Sequence, residues 1–390
     1  MSNTPRPNSR PKRPQPSRPA NNRSTGNLSP KPYRLIPFPK DTSGNLLALA
    51  KARPAGLDRY KASYYTGKIA LQLNVHTATT VLSGITVLGS DIASKIPKDS
   101  LIKTAISRSG QLIIPGSSLK GSVRSIHEAI TRSCICKVSR GYKLDKQQVR
   151  IKVPEGYREC SPEKKDIRDR NVELCPSCQV FGAINCEGLV SFSDAICTQK
   201  AAIKFVPSLY QPHLKKADYY SNVEENVVGG RKFYYHFTNS IHEGEKGINT
   251  QLAVSESCFV GSLQFVNLTK AQLGGLLVAL GQDQNHQFAL KVGTGKPIGM
   301  GSLTVDISEM EIWTRSGAGN RDNGIIPDLR DRYTRYTLPE SNQLTGEALE
   351  QFMQQMIQAA HRELIQERQL QQLAEVLKFP TDRAAPSGVY

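Results

Sequence analysis

The 390-residue chain carries 51 Lys and Arg against 34 Asp and Glu, a formal charge of +17. That excess points to a polyanionic partner, nucleic acid before a membrane, because no run of roughly 20 apolar residues is present to span a bilayer. Hydrophobic residues make up 38%, low for a fully packed chain, and the N-terminal segment has charge and proline but no apolar leader. These features predict a tail, a cytoplasmic location, and eight cysteines serving as metal ligands or buried thiols rather than disulfides.

Residues 1–43 are dominated by Pro, Arg, Ser and Asn, a composition that predicts disorder because too little apolar surface is available to offset ordering entropy. Residues 44–66 read as a connector. Order begins near Lys68, where Ile69, Leu71, Leu73 and Val75 alternate with Ala70, Gln72, Asn74 and His76 as in a half-buried strand. A long loop is expected over 78–111, carrying Asp91 and Asp99 among lysines.

The turn Pro115-Gly116 then leads into a helix for which Ser117 or Ser118 can serve as N-cap. Leu119, Val123, Ile126 and Ile130 form its apolar stripe, while Lys120, Arg124 and His127 stand on another face. Alone, this is either an ordinary amphipathic helix with a basic wet face or a seat for a phosphodiester backbone.

An insertion over 131–188 bears Cys175-Pro-Ser-Cys178, half of a tetrahedral zinc site, since a two-residue spacer lets both thiolates face one ion. Further thiolates are available at Cys134, Cys136 and Cys160. The expected ligands are Cys175 and Cys178 with Cys160 and Cys136, whereas Cys186, Cys197 and Cys258 read as small buried hydrophobes.

A strand over 189–194 follows, with Val190 and Phe192 on one face. Residues 200–250 are irregular, basic and aromatic, including Gly229-Gly-Arg-Lys-Phe-Tyr-Tyr-His236. Phe259, Gly261, Leu263 and Phe265 alternate as a strand. Thr269 caps a helix bearing Leu273, Leu276, Leu277 and Leu280. Strands near Phe288–Val292 and Leu303–Ile307 flank the loop Gly293-Thr-Gly-Lys-Pro-Ile-Gly-Met-Gly301. Pro297 after Lys296 excludes a nucleotidase phosphate loop. The remaining readings are a phosphate cradle with Lys296 as its charge and a tight hairpin. A long helix is predicted over Glu347–Lys378, docking on its own domain or on a partner. The order strand–helix–strand, strand–helix–strand predicts an α+β protein with a ferredoxin-like or RNA-recognition-motif-type core and large insertions.

Taken together, Pro115-Gly-Ser-Ser-Leu-Lys-Gly121 with Arg124, the loop Gly293–Gly301, Cys175-Pro-Ser-Cys-Gln-Val-Phe-Gly182 and Val190-Ser-Phe-Ser-Asp-Ala195 resemble the RAMP superfamily, RNA-binding backbone subunits of type III CRISPR effector complexes. Gly230-Arg-Lys-Phe-Tyr-Tyr-His236 is similar to a subset of its single-domain members. The resemblance covers about 67–309, an RNA-binding domain with insertions at 131–188, bearing zinc, and at 200–250. Residues 311–390 form a C-terminal extension outside it. It implies a thumb-like insertion, guide-RNA and target-RNA partners, and neighbouring subunits. The implied guide-backbone contacts come from Lys120, Arg124 and the glycine loop (Gly295, Lys296, Gly299), and the RNA-binding set is completed by Ser117, Ser118, Arg231 and Lys232. In nuclease members an Asp in the loop before the helix promotes target cleavage with a divalent cation such as Mg2+; Asp99 lies at the matching distance, with Asp91 as alternative. Leu101 stands where the family has proline. An inactive architectural subunit and an unrelated zinc-stabilised RNA-binding protein are the competing expectations.

Overall fold

The computed structural model describes residues 31–58, 61, 63–92, 97–136, 142–144, 147–149, 152–163, 171–208, 220–222, 227–241, 244, 246–313 and 341–385. Its centre is a sheet built from β1 (Tyr65–Val75), β2 (Val190–Phe192) and its continuation β3 (Ala195–Lys200), β4 (Cys258–Leu268) and β5 (Ser302–Asp306). The spatial order is β5-β1-β4-β3, and every neighbouring pair is antiparallel. Helix α1 (Gly116–Ile130) and, after it, the short helix α2 (Pro176–Phe181) lie between β1 and β2, and α3 (Lys270–Ala279) connects β4 to β5. This is the split βαβ arrangement that the order of periodic segments predicted, so the mixed α+β class holds.

Alternation along β1 buries Ile69, Leu71, Leu73 and Val75, each at most 2% exposed. They meet the buried stripes of α1 (Leu119, Val123, Ile126, Ile130) and α3 (Leu273, Leu276, Leu277) in one core. Thr269 caps α3 as expected: its hydroxyl accepts from the Gln272 N–H, and Gln272 returns the bond to the Thr269 N–H.

Several expectations are corrected. The span 78–111 is no loop: Leu82–Leu88 and Leu101–Ala105 pair as an antiparallel ribbon, and Gln111–Ile114 pairs with β3. The ribbon escaped detection because its apolar residues Ile85, Leu88 and Leu101 face outward. The tail expected over 1–43 ends before Tyr33, since Tyr33–Pro37 is a strand paired with Gly230–Tyr234; residues 1–30 lie outside the described residues. Within 200–250, Ala202–Pro207 and Gly247–Leu252 join the ribbon in a four-stranded sheet.

The terminal helix is two helices, α4 (Gly346–Glu363) and α5 (Glu367–Leu377). No Gly or Pro lies between them. The break exists because Ile365 bridges Thr131 and the Gln366 N–H bonds the Ile130 carbonyl at the end of α1. Both helices dock on the chain's own core, through Leu349, Met356, Ala360, Leu370 and Leu373. The short strand between residues 288 and 292 is reduced to Leu290–Lys291.

Candidate nucleic-acid interface

The first half of α1, the strand Gly230–Tyr234 and the glycine loop converge on one groove of about 490 Å³. Ser117, Ser118, Ser122 and Ser125 line it from the helix, Lys232 and Tyr234 from the strand, and Lys291, Gly293, Thr294 and Lys296 from the loop side. Among the described residues no carboxylate lines it. Three ammonium groups therefore share a partly dry recess, and burial holds all three below the ordinary lysine range: Lys291 down to about 7, Lys232 to about 8, and Lys296 in the same direction. Neighbouring cations add to the effect, Lys296 on Lys291 and Lys31 on Lys232. An anion in the groove would relieve both penalties.

The three lysines are held differently. Lys232 Nζ sits 4.2 Å from the centre of the Tyr33 ring and 4.8 Å from that of Tyr234, an aromatic cradle that keeps the charge at the groove wall. Lys291 Nζ donates to the Gly299 carbonyl at 3.2 Å and to Ser302 Oγ at 3.0 Å. Ser302 in turn meets His236 Nδ1 at 2.8 Å, and His236 Nε2 donates to the Ala289 carbonyl at 3.0 Å. The Lys296 carbonyl accepts from the Gly299 N–H at 3.2 Å, while its ammonium has no hydrogen-bond or ion-pair partner among the described residues. Lys291 carries no distinctive sequence signal: it takes the polar position of the alternation between Leu290 and Val292, as any surface strand residue would.

The loop itself is a tight structural turn. Gly295 and Gly299 flank a single 3-10 turn with φ of +73° and +92°. A Cβ at Gly295 would lie 2.3 Å from Met300 Sδ, and one at Gly299 2.7 Å from the Asn239 carbonyl oxygen. These glycines shape the turn that presents Lys296.

Other expected contact residues are turned inward. Arg124 Nε pairs with Glu128 Oε1 at 2.9 Å, and its guanidinium also donates to Cys136 Sγ and, at 3.3 Å, to Cys178 Sγ. Arg231 is 7% exposed; its guanidinium donates to the carbonyls of Ser133 and Cys134 and lies over the Phe38 ring. Strand alternation explains why Arg231 goes in and Lys232 out. Lys120 donates to the Val190 carbonyl at 2.9 Å, tying α1 to β2, and is half-buried. The N-terminus of α1 is capped by neither serine: the Gly116 N–H donates to Asp194 Oδ1 at 2.9 Å, so a carboxylate already occupies the positive end of the helix.

The metal candidates form a separate cluster behind Arg124. The Sγ atoms of Cys134, Cys160, Cys175 and Cys178 all lie within 4.8 Å of one another and all four residues are buried. Cys134 Sγ is 3.5 Å from both Cys175 and Cys178, close to the roughly 3.8 Å edge of a tetrahedron with Zn–S bonds of about 2.3 Å. Cys134 therefore replaces Cys136 as the expected fourth ligand. Cys136 stands beside the cluster, 3.9 Å from Cys134, accepting from Arg124. Hydrogen bonding from Cys134 draws the Cys136 thiol down to about 6 and Cys175 to about 7, while Cys134 is pushed up to about 12. Four converging thiols with a guanidinium alongside fit a metal such as zinc held as thiolates.

Asp91 and Asp99 lie at the outer end of the ribbon Leu82–Leu88/Leu101–Ala105, whose base touches the groove at Leu82. Six residues of strand place them roughly 20 Å away along the ribbon. Asp91 is engaged locally, its Oδ2 accepting from the Leu88 N–H at 2.9 Å; Asp99 is exposed in the turn before Leu101. Neither belongs to a cluster of possible metal ligands among the described residues.

A sequence model of the RAMP superfamily matches residues 84–304, more than half of the chain and the span that carries α1, the cysteine cluster and the glycine loop. The chain belongs to the RAMP superfamily. Membership is consistent with a CRISPR-associated RNA-binding role. No curated protein matches the chain. No helix among the described residues is long and apolar enough to cross a membrane.

Proposed function

We propose that this RAMP protein is a guide-RNA-holding backbone subunit of a type III RNA-guided effector complex, with other subunits and a complementary target RNA as partners. The observation that carries the reading is the groove in which Lys232, Lys291 and Lys296 meet the serine face of α1, with no carboxylate among its described lining residues. Lysines and small hydroxyl side chains recognise a sugar–phosphate backbone without reading sequence, the task of a subunit whose specificity comes from base pairing. Deep sequencing of RNA that copurifies with the chain expressed beside its genomic neighbours tests this. Discrete short RNAs sharing one 5′ handle support it; heterogeneous RNA or none overturns it. Lys296→Ala is expected to weaken binding uniformly across sequences and to reduce the slope of log K against log salt by about 0.7, the loss of one phosphate contact on a single strand.

Target cleavage, if this subunit performs it, rests on Asp99 with a divalent cation, in a reaction where the RNA 2′-OH is the nucleophile and the protein aligns it in line with the phosphate. The position of Asp99 at the ribbon tip, far from the groove, favours the architectural reading, in which the subunit binds without cutting. Asp99→Ala in the assembled complex separates the two: loss of cleavage at this subunit's position with RNA binding intact assigns the nuclease role, and unchanged cleavage assigns the architectural one.

A further inference from the structure

Outside the groove and the cysteine cluster, a third set of polar side chains converges where α3, α4 and α5 meet. Asp283 follows α3 and is 3% exposed. Its Oδ1 accepts from the Asn285 N–H at 3.0 Å, which aims Oδ2 at two imidazoles: His286 Nδ1 at 2.9 Å and His361 Nε2, from the last turn of α4, at 2.9 Å. Glu367 opens α5 from the other side. Its Oε1 lies 3.1 Å from His286 Nε2, and its Oε2 lies 3.3 Å from His361 Nδ1. The two rings are thus clasped between carboxylates at both ends, their centres 5.9 Å apart and 31° from parallel.

Four N···O contacts require four N–H groups, and two neutral imidazoles supply two. Glu367 is half in water, and its two oxygens are placed to accept one N–H from each ring. In the tautomers that give Glu367 both N–H groups, the remaining nitrogen of each ring carries a lone pair pointed at the buried carboxylate of Asp283, the arrangement that a shared cation requires; in the opposite tautomers Asp283 Oδ2 accepts both N–H groups. Lone pairs facing a buried carboxylate at 2.9 Å repel unless a cation lies among them. The donor atoms of Asp283, His286 and His361 lie within 4.8 Å of one another, close enough to share one ion. Glu367 stands where an outer carboxylate orients metal-bound imidazoles through their far N–H groups.

We infer that Asp283, His286 and His361 bind a divalent transition-metal ion of the zinc class, with Glu367 orienting both imidazoles. Two imidazoles and one carboxylate suit such an ion. The site joins the α3 exit to both sides of the α4–α5 break, so the ion pins the C-terminal helices to the core. His361 and Glu367 lie beyond the span matched by the superfamily.

The test is metal content and Zn2+ titration of the full chain at neutral pH. Wild type is expected to hold one Zn2+ more than His361→Gln, and Cys134→Ser to retain that ion. Glu367→Gln, which leaves all three ligands in place, is expected to weaken this site by 10- to 100-fold. Co2+ in the site gives ligand-field absorption without thiolate-to-metal charge transfer, which separates it from the cysteine cluster. Equal metal content in wild type and a folded His361→Gln variant overturns the assignment. So does a clasp stabilised only by acidification and not by Zn2+, because protons would then be the missing cations. If His361→Gln does not fold, the Glu367→Gln affinity and the cobalt spectrum of Cys134→Ser, in which the cysteine cluster is broken, decide in its place: ligand-field bands without charge transfer support the site, and their absence overturns it.

Discussion

Arg231 and Lys232 are adjacent in sequence and opposite in role, so their replacements should fail in opposite ways. Arg231→Ala removes the donor to the Ser133 and Cys134 carbonyls and leaves buried Glu128 with Arg124 alone. Breaking a buried ionic network of this kind costs about 3–5 kcal/mol. Thermal unfolding should show a large fall in Tm, whereas Lys232→Ala should lower RNA affinity with little change in Tm. The buried histidines set the acid limit. Burial holds His127 and His236 down to about 3, against 6.5 in the unfolded chain. The unfolded state therefore binds more protons below 6.5, and stability falls as pH drops from 6.5 toward 3. His127→Gln should flatten the fall of Tm with acid by one proton. Lys291 acts at the other end: its folded value of about 7 lies below the ordinary 10.5, so its contribution to stability rises with pH between 7 and 10.5. RNA phosphate favours the ammonium form, so binding takes up protons and affinity should decline as pH rises from 7 to 9, a dependence reduced in Lys291→Met.

At the scale of elements, α3 and α4 approach closely in the core. A Cβ at Gly274 would lie 1.9 Å from the Met356 carbonyl oxygen, a backbone contact that cannot rotate away. Gly274→Ala should push the helices apart and cost about 3 kcal/mol, as overpacking does at its upper range. At Gly275 the neighbour at 2.8 Å is Leu364 Cδ2, the end of a flexible side chain, with His127 Nε2 at 3.1 Å. Gly275→Ala should cost less, about 1 kcal/mol. Denaturant midpoints of the two variants measure the difference, and equal midpoints would mean that the α3–α4 contact does not limit the fold.

Across the whole molecule, the described residues of the 131–188 insertion include two small apolar clusters, Ile135 and Tyr157 with Phe38 and Val228, and Val172 and Leu174 with the cysteines. A metal there is expected to hold the insertion folded, because structural zinc contributes its binding energy to folding. Cys134→Ser should lower zinc content by one per chain and open the insertion to protease, while Cys136→Ser keeps the metal. Arg124 couples this cluster to α1 through Glu128 and Cys136. Loss of the metal should therefore loosen the helix that carries the serine face of the groove, and weaken RNA binding without removing a single groove lysine.

The sequence by itself determined the central sheet, the stripes of α1 and α3, the Cys175/Cys178 pair and the glycine loop. Those signals repeat every two or 3.6 residues or sit within one turn, and they arise from backbone geometry that neighbours in the chain already impose. Tertiary structure decided the rest. It chose Cys134 over Cys136, turned Arg124 and Arg231 inward, brought Lys291 to the groove wall, paired Tyr33–Pro37 with Gly230–Tyr234, and broke the terminal helix at a site with no breaker residue. The Asp283–His286–His361–Glu367 clasp was invisible for the same reason: its ligands are about 80 residues apart. Whether a charge faces solvent, a thiol or another charge depends on elements distant in sequence, and a local pattern carries no information about them.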